Sequence, residues 1–255
     1  ALISVDVSGA TLPGAVNQYI LTGLPSCTNG VFRIFGIKSY KGALYVGGVC
    51  TGENGGVLFS TDQTAFVLKY DPTNIAGGYT IALTFPLNYT RESVGGNGGA
   101  RWKPWSSVWN PNFLFQNFKY PEPILANIEF APNDDMILTF HDRHAHMVGY
   151  RNYPRILDYT GTDLEEGLAA GDIVKACYVS GSYVIEGDAT CPTNDPAPLA
   201  GQSNVDGPSN TGEFFWGDYF TNDGTSVGHE EVSLGSAIVY PGTDQVINVT
   251  YDPIG

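Results

Sequence analysis

One recurring pattern constrains this chain more than any other. An apolar strand runs into a Gly, Pro or Asp turn, and a second apolar strand follows. FGIKSYKGALYVG, ANIEFAPNDDMILTF and SLGSAIVYPGTDQVINVTYD are three such passages. Short apolar or alternating runs bounded by turn formers predict strands joined as hairpins. VFRIFGIKSYKGALYVGGVCTG and AFVLKYDPTNIAGGYTIALTFPLNY give four strands in succession, a meander. A second unit begins with Leu125–Phe130 and Met136–Phe140, and GDIVKACYVSGSYVIEG supplies its two outer strands. EEVSLGSAIVYPGTDQVINVTYDPI opens a third unit, and ALISVDVSGATLPGAVNQYIL reads as the outer half of a unit whose inner half is absent.

Units of roughly 40–50 residues with four strands each are the signature of a β-propeller, because one such sheet must stack on neighbours to bury both faces. The expected class is therefore all-β: a β-propeller of four-stranded antiparallel blades with long loop insertions, forming an incomplete or segmental ring. A single propeller domain or segment spans 1–255, with insertions at about 91–122 and 192–213. A β-sandwich is the competing fold, and it does not need the paired-strand refrain. Composition agrees with many strands and tight turns: 32 Gly, 16 Pro, 15 Tyr and only two Met in 255 residues.

The chain carries 12 basic against 26 acidic residues, a net charge of −14. Such a surface repels phosphate backbones and anionic membranes, so nucleic acid is not an expected partner, whereas cations such as calcium are favoured. There is no apolar run of about 18 residues, so no membrane span is expected. The chain opens ALISVDV without an initiator Met, which reads as a processed chain or an excised segment of a longer one.

Cys27, Cys50, Cys177 and Cys191 form no CxxC pair. Four cysteines allow three connectivities. CYVSGSYVIEGDATC reads as a hairpin that brings Cys177 to Cys191, which leaves Cys27 with Cys50. The sequons at Asn88 and Asn248 fit a glycosylated, exported protein.

FGIKSYKGALYVGGVCTGE, GGARWKPW, IEFAPNDDMILTFHDRHAHMVGYRNY, AAGDIVKAC and GHEEVSLGSAIVYPGTDQVINVTYDPI follow one another in order. Together they resemble the propeller region of large secreted bacterial surface proteins, often built with Ig-like adhesin modules. The resemblance runs from about Val31 to Ile254. It implies export and a surface or matrix location, and it brings no catalytic residues with it.

TFHDRHAH holds three of the four histidines. On an extended chain Asp142, His144 and His146 share one face, while His141 and Arg143 share the other. H-x-H is a metal-binding spacing that needs a third ligand from elsewhere. Candidates from matching positions in other units are Glu129, Asp134, Asp135, Asp218, His229, Glu230 and Glu231, and Glu230 opens a strand. The candidate metal set is His144, His146, Asp142 and Glu230; oxygen ligands would favour calcium. The competing reading gives Asp142 and Arg143 hydrogen bonds between blades and leaves the histidines facing water. Trp102, Trp105 and Trp109 are candidate sugar-stacking residues, although their spacing of three and four equally suits one face of a packed helical turn. No G-x-S-x-G elbow and no phosphate loop is present. The expected function is an extracellular structural or adhesive module presenting loops to a surface or matrix protein, a glycan or copies of itself. The alternative is a metal-dependent hydrolase or lyase using the propeller channel.

Overall fold

The computed structural model describes residues 1–8, 15–55, 62–91, 101–106, 120–149, 152–153, 164, 169–193, 207–209, 212–215 and 233–250. Twelve strands, one short α-helix and one 3-10 turn (Ile75–Gly77) are present among them. In chain order these are β1 (Leu2–Val5), β2 (Val16–Tyr19), β3 (Phe32–Tyr40), β4 (Ala43–Cys50), β5 (Thr64–Tyr70), β6 (Tyr79–Pro86), β7 (Pro123–Phe130) and β8 (Met136–Asp142). Helix α1 (Arg143–Val148) follows, then β9 (Asp172–Val179), β10 (Ser182–Ile185), β11 (Ser233–Val239) and β12 (Val246–Thr250).

The strands form two four-stranded antiparallel meanders, β3-β4-β5-β6 and β7-β8-β9-β10, and two antiparallel pairs, β1-β2 and β11-β12. Two-residue turns set the register of two hairpins. Tyr40 pairs with Ala43 across Lys41-Gly42, and Val179 with Ser182 across Ser180-Gly181. All four turn residues have positive φ, as type I′ turns require, and that twist matches the flanking strands.

The first four-stranded sheet packs on the second with β3 and β4 against β7 and β6 against β10. Their shared core holds Val49, Val67, Leu83, Leu125, Ile128, Leu138, Phe140 and Val174. Gly47 marks the closest approach: a Cβ there would lie 2.7 Å from Leu125 Cδ2. The far faces are also covered. Leu2 and Tyr19 of the first pair lie on a second core of Val46, Leu68, Tyr70 and Ile75. β11 packs on β7 and β8, where Asn127 reaches across to the Ala237 carbonyl oxygen at 2.5 Å. This double cover explains why β4 and β8 are nearly continuous apolar runs buried on both faces, the pattern of a central layer rather than a half-solvated sheet.

The all-β expectation and the order of the units match this architecture. No closed ring of sheets is present among the described residues; the sheets form an open stack of two, four, four and two strands. Two disulfides pin it, Cys27 to Cys50 and Cys177 to Cys191, the same pairing that the hairpin reading gives.

Candidate functional site

The histidine stretch does not stay extended. β8 ends at Asp142, and Arg143–Val148 is helical. Asp142 is the N-cap: its Oδ1 accepts from the backbone N–H groups of His144 (2.9 Å), Ala145 (3.2 Å) and Glu122 (3.1 Å), and its Oδ2 from Ala170 (3.4 Å). An acid with this many N–H partners saves several otherwise orphaned donors, which is why the helix begins there. Burial still dominates and pushes the Asp142 carboxyl up to about 6. The helical turn corrects the expectation that Asp142, His144 and His146 share a face. His144 is buried beside Tyr120, with its imidazole held down at about 4 by burial and the Arg143 charge. His146 is exposed, its ring 5.0 Å from that of His141. Among the described residues no three His, Cys, Asp or Glu side chains converge as metal ligands. Glu230, Asp218, His229 and Glu231 lie outside those residues.

The other carboxylates singled out by the sequence sit in ion pairs. Glu129 takes Lys38 at 2.6 Å, Asp134 takes Lys41 at 2.5 Å, and Asp135 takes Lys175 at 3.0 Å. The first two tie β3 and its turn to β7 and the turn after it, so they clamp one sheet on the other. Arg143 pairs with the buried Glu122 and lies 4.6 Å over the Trp105 ring. Burial pushes the Glu122 carboxyl up to about 7 in spite of that cation.

Trp102 and Trp105 are core residues, 2% and 8% exposed. The helical spacing is not realised at Trp102 and Trp105, since residues 101–106 have no regular secondary structure. Trp105 Nε1 donates to the Pro123 carbonyl (2.9 Å) and Trp102 Nε1 to the Tyr89 hydroxyl (3.2 Å). The Arg91 guanidinium stacks 3.7 Å over Trp102 and donates to the Ala170 and Gly171 carbonyls at 2.9 and 2.7 Å. Asp172 completes this buried network, taking the Tyr89 hydroxyl at 2.6 Å with Arg91 Nε at 3.5 Å. Both indoles are too enclosed for a sugar to stack on, which corrects that part of the stacking set; Trp109 lies outside the described residues. Asn88 is exposed, whereas the Asn248 amide nitrogen is buried beside Ser233.

The open site lies elsewhere. At the hairpin end of the two central sheets a cleft of about 360 Å³ opens between β6 and β10. Four tyrosines line it: Tyr40 and Tyr45 from the β3–β4 hairpin, Tyr178 and Tyr183 from the β9–β10 hairpin. Tyr40 stacks on Phe130 at 4.0 Å, and Tyr45 and Tyr183 lean on the same ring at 4.8 and 6.2 Å. Tyr178, 44% exposed, rests against Tyr183 at 5.1 Å and presents its ring to solvent. The rim is polar, with Lys41, Asp134, Thr80, Ser182 and Lys69. Tyr40 and Lys41 both donate to Asp134 at 2.5 Å, which holds that carboxyl below the usual range and raises the Tyr40 hydroxyl. Lys69 makes no ion pair among the described residues; its ammonium stands 5.8 Å from the Tyr45 ring centre. A second hollow of about 550 Å³ adjoins the first and shares Lys41, Lys69 and Thr80 with it. The sequence reading did not single out these tyrosines. The signal was there: SYKGALY and YVSGSY each place two tyrosines five residues apart around a Gly turn.

No protein-family model matches the chain, and no solved structure matches it. Curated relatives do. The chain is 27% identical to Colossin-A of Dictyostelium discoideum over 254 residues, which is 95% of this chain and 2% of that protein. It is 29% identical to Colossin-C over 176 residues (64% and 16%) and 27% identical to Colossin-B over 266 residues (98% and 6%), both from the same organism. This chain therefore spans a small part of each. These matches correct the expected kinship with bacterial surface proteins, and a bacterial source is not supported. The three longest motifs behind that expectation are strand–turn–strand phrases, whose Gly, Pro and Asp positions suit many hairpins, so they carry little information about descent.

Proposed function

We propose that this chain is an extracellular structural module, built from propeller-type blades, that binds carbohydrate in the tyrosine-lined cleft. The cleft carries the reading. Tyrosine presents a rigid apolar face with a polar tip, which suits the C–H face of a sugar ring. Tyr178 is the exposed stacking surface, and Asp134, Lys69, Thr80 and Ser182 surround it with hydroxyl partners of both polarities. Clefts of about 300–1,000 Å³ with aromatic walls and a few fixed polar groups are the usual form of a small-ligand site.

The blade reading is supported by the stacking of sheets in chain order, first strand on first and last on last, with both faces of each four-stranded sheet covered. A two-layer sandwich would leave the far faces to solvent. The extracellular reading is supported by the two disulfides, which persist in oxidising compartments, and the similarity to colossins is compatible with it.

An array of β-linked glucose, N-acetylglucosamine and mannose oligosaccharides tests the binding claim. At least one class should be retained by the wild type and lost by Tyr178→Ala. Equal retention by both proteins, or by neither, rules the cleft out.

A further inference from the structure

The tyrosine cleft does not end at its own walls. The second hollow, of about 550 Å³, adjoins it, and the two share Lys41, Lys69 and Thr80. β6 lines both in order along its length. Ile81 and Ala82 belong to the cleft, Thr80 to both spaces, and Gly78 and Tyr79, at the start of the strand, to the hollow. From Gly78 to Ala82 an extended chain advances about 13 Å at roughly 3.3 Å per residue, which is longer than a disaccharide.

Each space has an apolar face of its own. In the cleft it is the Tyr178 ring, with Ile81, 52% exposed, on the opposite side chain wall. In the hollow Tyr70 is buried, and the half-buried Tyr79 ring, 5.6 Å from it, is the aromatic surface that remains. The Tyr79 hydroxyl donates to the Gly23 carbonyl at 2.7 Å, which fixes the ring in place. Between the two rings lie Thr80 and Lys69, hydrogen-bonding groups shared by both spaces. Aromatic faces separated by polar groups match a sugar chain, whose C–H faces alternate with hydroxyls.

Charge narrows the class further. Two cations, Lys41 and Lys69, and two anions, Asp71 and Asp134, line the combined space. They balance locally, while the whole chain carries −14. An anionic polysaccharide therefore finds no net attraction in the groove and repulsion from the rest of the surface. A neutral chain meets neither obstacle.

We propose that the cleft and the hollow form one groove that holds an extended stretch of a linear, neutral polysaccharide, with one sugar on Tyr178 and another, further along the chain, on Tyr79. This rests on the carbohydrate reading of the cleft, and adds to it a second subsite, a chain length and a charge class.

Calorimetric titration with the β-1,4-linked dimers and hexamers of glucose, N-acetylglucosamine and mannose tests this, with the mannuronate hexamer as the acidic counterpart of the mannose one. For the class that binds, the hexamer should bind the wild type roughly thirtyfold more tightly than the dimer, well beyond the roughly fivefold that repeated units give by statistics alone. Tyr79→Ala should reduce that advantage to the statistical factor and leave the dimer unchanged, and the mannuronate hexamer should bind no more tightly than the mannose hexamer. Tyr79 also packs on Tyr70, so if Tyr79→Ala lowers Tm, Tyr79→Leu replaces it, keeping apolar bulk without the ring face. Three results overturn the proposal while leaving the cleft a sugar site: a hexamer no better than its repeated units, a Tyr79 variant that keeps the full advantage or weakens the dimer equally, or a tighter mannuronate hexamer. Failure of every sugar to bind overturns both readings.

Discussion

Glu186 is fully buried at the end of β10, and it should make this protein more stable in mild acid than at pH 8. Its Oε1 accepts from the Lys175 N–H (3.3 Å) and its Oε2 from the Phe214 N–H (2.8 Å). Those two bonds favour the carboxylate, but burial outweighs them and pushes the carboxyl up to about 8, against 4.5 for a free side chain. The folded chain therefore holds a proton between these values that the unfolded chain releases. For an acid raised in this way the stabilisation is fully present below 4.5 and is lost as pH rises through 8. At about 1.4 kcal/mol per pH unit, Glu186 alone removes about 2 kcal/mol of stability between pH 6 and pH 8. Glu186→Gln keeps the shape and cannot ionise. Urea unfolding at pH 6, 7 and 8 should give a pH slope smaller by about that amount, with the variant gaining on the wild type at pH 8. Glu122, raised to about 7, and the foot of the Asp142 transition, raised to about 6, add to the slope, while His144, lowered from 6.5 to about 4, opposes it near pH 6, and all three are common to variant and wild type. Identical slopes in variant and wild type would refute the reasoning, because they would mean that Glu186 titrates alike in both states.

Three further outcomes follow from the buried network, the cap and the bridges. Arg91→Ala strands Asp172 beneath Trp102 without its cation, so urea unfolding should show a loss of about 3–5 kcal/mol. Asp142→Ala removes the shared acceptor of several backbone N–H groups and should cost about 2 kcal/mol; EDTA should leave the wild-type Tm unchanged, since those N–H groups rather than a cation satisfy the carboxylate. Replacing Cys177 and Cys191 together by Ser opens a loop of 14 residues and should cost about 3 kcal/mol in denaturant unfolding, with both central sheets still formed by circular dichroism.

The strands were legible because hydrophobic period and turn chemistry are local. Lys41-Gly42 and Ser180-Gly181 mark their hairpins in the sequence itself, and the runs of β4 and β8 announce burial on both faces. The Cys177–Cys191 bridge was legible for the same reason, since a hairpin brings its ends together. Helix α1 was missed because His141-Asp142-Arg143 continues a strand by pattern. Asp142 as a cap with Gly149 just past the last turn was the available signal. Trp102 and Trp105 show the opposite limit: their spacing suggested a helix face, yet each indole was placed by a distant partner, the Tyr89 hydroxyl and the Pro123 carbonyl. The cleft escaped because it is made by stacking. Tyr40 and Tyr178 lie far apart in the chain, and only the packing of one meander on the other brings their hairpins to the same end.

The central claim is that the Tyr40–Tyr183 cleft receives a sugar, and titration calorimetry measures it most directly. With the best oligosaccharide from the array as titrant, Tyr178→Ala should weaken affinity at least tenfold while Tm stays unchanged, and Lys69→Ala should weaken it less. Full affinity in a folded Tyr178→Ala protein would contradict the account.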